Sequence, residues 1–98
     1  LLKETAFRLE ILGVVVGLTL LVYLQATLIQ FVAFVVLASV LLAVEALNTA
    51  IEEIVDHISP DWSQMGKHAK DCGSAAVSFL LIAMAVLLMV IAYENVGM

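Results

Sequence analysis

Cysteine and proline are nearly absent from this chain: Cys72 and Pro60 are the single examples among 98 residues. One cysteine permits no intrachain disulfide and no cysteine-built metal cluster, and its helical surroundings predict a buried structural thiol. Charge is scarce as well. With 13% charged residues, 64% hydrophobic residues and a mean hydropathy of +1.16, the composition excludes an ordinary soluble domain. The sequence has no G-x-x-x-x-G-K-[ST] loop, no G-x-G-x-x-G and no soluble-kinase signature, so any nucleotide chemistry must use other phosphate contacts. No signal-peptide pattern is visible, because the first apolar block is followed by two more. The chain begins with leucine, from which a preceding N-terminal piece is expected.

What the chain has in quantity is apolar sequence in three blocks, about 7–24, 28–47 and 75–93. Each is long enough, or nearly so, to cross a hydrocarbon core of about 30 Å as a helix. The expected fold is therefore an all-α membrane protein with three transmembrane helices, forming one membrane domain over residues 1–98. Gln25 to Thr27 make a tight link between the first two blocks, and a polar link at 57–70 precedes the third. Within that link, Ser59-Pro60-Asp61 reads as a helix start, with serine as the cap and proline in the first helical position. Trp62 reads most simply as an interfacial anchor. Lys3, Arg8, Lys67 and Lys70 all fall on one face of a three-span chain, which the positive-inside rule makes cytoplasmic. Eight of the nine acidic residues share that face, so the net charge of −5 is a local acidic concentration and argues against a nucleic-acid partner.

The second block ends in "VEALNTAIEEIVD", Val44 to Asp56. At about 100° per residue, Glu45, Asn48, Glu52 and Asp56 fall within an arc of roughly 80°, a single polar stripe on one helix face. At about 1.5 Å of rise per residue, Glu52 lies roughly 10 Å nearer the cytoplasm than Glu45. Glu45 is thus the membrane-embedded carboxylate, and an ionisable group at that depth is costly enough to mark a functional site. Glu4 and Glu10, which flank Arg8, and Lys70, Asp71 and Ser74 before the third span are placed to join the stripe. Gly73, Ala75 and Ala76 allow close helix approach there, and Gly13-x-x-x-Gly17 is a further packing signal in the first span. Three helices cannot bury so many polar groups alone, so several copies are expected to associate.

Three stretches carry a resemblance: "ETAFRLE" at Glu4 to Glu10, "VEALNTAIEEIVD" at Val44 to Asp56, and "AKDCGSAAV" at Ala69 to Val77. Their order and separations resemble those of the prokaryotic integral-membrane diacylglycerol kinases, over nearly the whole chain. The resemblance implies a homotrimer in the bacterial inner membrane, with cytoplasmic-side active sites shared between protomers. These would transfer the γ-phosphate of ATP, with Mg²⁺ as cofactor, to a membrane lipid hydroxyl. It implies that Glu45 is the general base and that Glu4 and Glu52 are the metal carboxylates. The ATP contacts it implies are Glu4, Glu52, Asp61, Trp62, Ser63, Lys70 and Asp71. The implied lipid contacts are Ala6, Phe7, Arg8, Glu10, Glu45 and Ser74, with Asn48 and Asp56 in positioning roles. The amphipathic surface helix with which the family usually begins is expected to be missing beyond Leu1 and Leu2.

The physical reading gives that assignment a reason. Phosphoryl transfer needs neutralised charge and an aligned nucleophile, which metal-held carboxylates and a lysine supply without a phosphate loop. In "ETAFRLE" and the Gly73-Ser74 pair the chain resembles the diacylglycerol branch of the family, which implies diacylglycerol as the acceptor; its ester carbonyls also offer donors such as Arg8 and Ser74 partners that a polyprenol lacks. An undecaprenol kinase of the same family is the alternative substrate reading. A carboxylate-based transporter fits less well, since the acidic residues cluster on one side of the membrane.

Overall fold

A computed structural model describes residues 2–58, 61 and 63–96, with side chains from Phe7 onward. The described chain is three α-helices in sequence: α1 (Leu2–Tyr23), α2 (Leu28–Ile58) and α3 (Gln64–Asn95). Two of them, α2 and α3, are long and apolar enough to cross a membrane.

The link between α1 and α2 is as short as the sequence predicts and is held by local hydrogen bonds. Gln25 adopts a left-handed φ of 57°. Its N–H donates to Val22 O at 3.1 Å and the Ala26 N–H donates to Leu21 O at 3.0 Å, the Schellman pattern that satisfies the last carbonyls of α1. Thr27 then opens α2 with a capping box: the Gln30 N–H donates to Thr27 Oγ1 at 3.2 Å and the Thr27 N–H donates to Gln30 Oε1 at 2.9 Å.

The connector between α2 and α3 is shorter than the expected polar link at 57–70, because helix occupies both of its ends. No glycine or proline interrupts α2 between Leu28 and Ile58, and Glu52, Glu53 and Asp56 are compatible with helix once the backbone is running. The helix start expected at Ser59-Pro60-Asp61 is displaced: α3 begins at Gln64, capped by Ser63, whose Oγ accepts from the Gly66 N–H at 3.0 Å. Asp61 lies in a bend, and Ser59, Pro60 and Trp62 lie outside the described residues.

Packing follows a regular seam. The buried residues of α2 are Phe34, Ala38, Leu41, Glu45 and Asn48, which alternate steps of four and three. Those of α3 are Gly66, Gly73, Val77, Met84 and Ile91, mostly one heptad apart. Such spacing keeps one stripe of each helix facing the other. Helix α1 joins through Leu21 and through Gly17, where an added Cβ would overlap the Phe34 ring. Gly13, its partner in the expected small-residue motif, would meet nothing, so only one glycine of the pair is used for close approach within the chain. Outside the seam the helices are apolar and open: Leu12, Val16, Val36, Phe79, Ile82 and Met89 are all exposed.

Candidate active site

The α2 seam changes chemistry without changing spacing. After Phe34, Ala38 and Leu41, the next two buried positions are Glu45 at 6% exposure and Asn48 at 8%. One to two turns further on, Glu52 is half-buried and Asp56 is exposed. The predicted stripe is therefore present on one continuous helix and is graded in burial from Glu45 outward.

Residues from the other helices meet this stripe at three levels. From α1, the half-buried Glu10 brings its carboxyl within hydrogen-bonding reach of Glu45. From α3, Gly73 is buried against Asn48, so closely that an added Cβ would take the place of Asn48 Oδ1. Further out, Lys70 Nζ pairs with Asp56 Oδ1 at 2.5 Å and ties the start of α3 to the outer end of the stripe. Two oxygens at the inner levels, Glu10 Oε1 and Asn48 Oδ1, are buried and have no hydrogen-bond partner. Buried polar atoms are nearly always satisfied, so two together on one seam mark a place built for something other than packing.

Within one chain, the remaining predicted residues divide. Asp71 pairs with Lys67 at 2.8 Å on an exposed face of α3, and Ser74 is exposed. The Asp71 hydrogen bond and its negative charge raise the Lys67 pKa, which keeps that lysine cationic. Ser63 uses its hydroxyl as the α3 cap. Phe7 and Arg8 are exposed on the first turns of α1, as is Asp61 in the connector. The side chains of Glu4 and Ala6, and Trp62, lie outside the described residues.

The structure corrects one expectation about burial. Cys72 is exposed, with its Sγ 3.6 Å from His68 Nε2 one turn away. It falls on the outer face of α3, and the helical surroundings from which burial was inferred do not report which face a residue takes. Glu10 joins the stripe as the sequence predicts; that its partner there is Glu45 depends on how α1 is rotated against α2, which no local pattern encodes. One further feature was not visible in the sequence. An apolar groove of about 340 Å³ runs beside Glu10, lined by residues of all three helices that include Leu9, Gly13, Leu41, Leu81 and Met84. The open space over Gly13 belongs to this groove.

Among the described residues, no group of three or more histidine, cysteine or acidic side chains is arranged to hold a metal ion. The oxygens on the stripe are nonetheless hard donors. Mg²⁺ characteristically takes one or two carboxylates and completes its shell with water and substrate phosphates, so Glu52 and the unsatisfied carbonyl of Asn48 fit a metal that arrives with a nucleotide.

Comparison with known proteins gives the family. The family model described as prokaryotic diacylglycerol kinase matches residues 1–92. A diacylglycerol kinase of Sinorhizobium sp is 46% identical over 83 residues, which are 85% of this chain and 61% of that protein. The diacylglycerol kinase of Escherichia coli strain K12 is 30% identical over 96 residues, 98% of this chain and 79% of its own length. That of Haemophilus influenzae is 34% identical over 79 residues, 81% of this chain and 67% of its own. The chain thus spans about three fifths of the Sinorhizobium relative and a larger share of the other two. With all three signature stretches inside the matched region, and a buried carboxylate near the start of the second, this chain belongs to the prokaryotic diacylglycerol kinase family.

Proposed function

We propose that this chain is a lipid kinase that transfers the γ-phosphate of Mg-ATP to the hydroxyl of diacylglycerol, giving phosphatidic acid. It works at the cytoplasmic face of the bacterial inner membrane, which it crosses three times. The observation that carries the reading is Glu45, a carboxylate 6% exposed on the α2 seam with a second carboxylate, Glu10, beside it. Family membership and the names of the relatives support the same activity.

In this reading Glu45 accepts the proton of the lipid hydroxyl as its oxygen attacks the γ-phosphorus. The bond from that phosphorus to the β–γ bridging oxygen breaks, and ADP leaves. Glu10 holds the lipid head beside the base, and the groove next to it has room for part of an alkyl chain. Lys70 approaches the outer end of the stripe, where its positive charge meets nucleotide phosphate. Asn48 orients the reacting groups between the two levels. Glu52, with Glu4 and the Asn48 carbonyl, would hold a Mg²⁺ ion arriving with the nucleotide, and the ion would supply neutralisation of phosphate charge.

A homotrimer with sites shared between protomers is part of the proposal. One chain exposes 6899 Å², whereas a compact protein of 10.5 kDa exposes about 5,400 Å². The excess is largely apolar helix surface, which lipid and further copies of the chain cover together. Asp71 and Ser74, exposed in one chain, are then available to a neighbouring protomer's stripe.

Initial rates of labelled phosphate transfer from ATP to diacylglycerol and to undecaprenol, at equal mole fraction in mixed micelles, test the substrate. Diacylglycerol should be much the faster. A preference for undecaprenol would replace the substrate and keep the chemistry, and no incorporation into any lipid would remove the kinase reading. For the assembly, mixing an inactive Glu45→Gln chain with an inactive Lys70→Ala chain should restore part of the activity. A fully active monomer contradicts it.

A further inference from the structure

The helix contact opposite Asn48 has an unusual shape. Asn48 is buried, its Oδ1 has no partner, and Gly73 of α3 lies directly against its carboxamide. Any side chain at 73 would occupy the space of that oxygen. Helix α3 needs no glycine here for its own backbone, since position 73 is an ordinary interior helical position where alanine is the better helix former. The glycine therefore serves its neighbour. By contrast, Gly13 faces open space, so absence of a Cβ has no comparable consequence there.

We propose that Gly73 is a positioning residue whose missing side chain sets the rotamer of Asn48. It keeps the carboxamide in the α2–α3 seam between the levels of Glu45 and Glu52, and turnover depends on it through Asn48. This rests on the kinase reading for the consequence to turnover, and on packing alone for the effect on Asn48. A Cβ at position 73 drives the carboxamide out of the seam. The stripe then keeps its carboxylates and loses its central amide.

Two double-mutant cycles on the full-length chain in detergent decide it, one reading unfolding stability and the other reading steady-state kinetics. Gly73→Ala should lower stability, and Asn48→Ala in the same chain should recover most of the loss, because the overlapping atoms are gone. In the kinetic cycle, Gly73→Ala should lower kcat by about 100-fold, the scale expected for a displaced positioning group, with KM for ATP within a few-fold of wild type. Adding Asn48→Ala should then cost little more. If Gly73→Ala does not fold alone, the doubly substituted chain must fold, and its failure to do so overturns the proposal. Additive losses in the stability cycle overturn it as well, since a glycine needed only for helix approach is insensitive to residue 48. A wild-type chain that phosphorylates no lipid while the stability cycle stays non-additive upholds the placement of Asn48 and sinks the kinase reading instead.

Discussion

Where α2 begins and α3 ends, Gln30 Nε2 donates to Glu94 Oε1 at 2.9 Å and Asn95 Nδ2 donates to Gln30 Oε1 at 2.8 Å. The same Gln30 closes the capping box with Thr27. At the opposite end of α2, where α1 meets it as well as α3, Glu10 and Asn48 each bury an oxygen without a partner, and the Glu10 and Glu45 carboxyls face each other. Both ends lie along the same α2 helix, so the difference is one of side-chain chemistry. An end whose polar groups bond to one another stabilises the helix pair and has nothing left to offer a ligand. An end that leaves buried oxygens unsatisfied costs stability, and such a cost persists in a protein when the site has another use.

The comparison sharpens first at Glu52, where the gradient of burial turns into a division of labour. Glu52→Gln should raise the Mg²⁺ concentration needed for half-maximal activity by roughly tenfold or more, as expected on removing one carboxylate ligand. A loss of kcat with unchanged Mg²⁺ dependence would show that Glu52 is not a metal ligand. At the opposite end the expected effects are on stability alone. Gln30→Leu removes the bonds to Glu94 and Asn95 and should cost about 1 kcal/mol in a detergent unfolding titration, with kcat unchanged. A change in kcat there would break the separation between the two ends. The smallest effect is expected at the α1–α2 turn. Gln25→Gly relieves a left-handed residue and should raise stability by about 1 kcal/mol or less. No gain would mean that the turn accommodates glutamine without strain.

Much of this division was legible in the sequence, because a helix writes its faces at a fixed period. Glu45, Asn48, Glu52 and Asp56 can be assigned to one side from spacing alone, and the structure puts them there with the burial gradient that their depth implies. The tight link at Gln25 to Thr27 was equally visible, since three polar or small residues between two apolar blocks leave room for little else. The ends of the long helices were less so. Hydropathy marks where lipid stops, and α2 continues for eleven residues after Leu47 because nothing in Asn48 to Ile58 breaks a helix. The cap at Ser63 competes with an equally good signal at Ser59, and local chemistry cannot choose between them. Contacts between helices were the least legible. Glu10 beside Glu45, Cys72 on the outer face and Phe34 over Gly17 all depend on helix rotation, which is set by the packing of the whole seam.

The most direct measurement is the initial rate of labelled phosphate transfer from ATP to diacylglycerol by the wild-type chain, Glu45→Gln and Gln30→Leu, assayed side by side in mixed micelles. Glu45→Gln should lose a factor of about 10³ or more in kcat with KM for ATP within a few-fold of wild type, because it removes a base and leaves the nucleotide contacts in place. Gln30→Leu should keep the wild-type rate. A Glu45→Gln chain that turns over at the wild-type rate, or a Gln30→Leu chain that is folded and equally dead, would contradict a catalytic centre confined to the acidic end of the α2 seam.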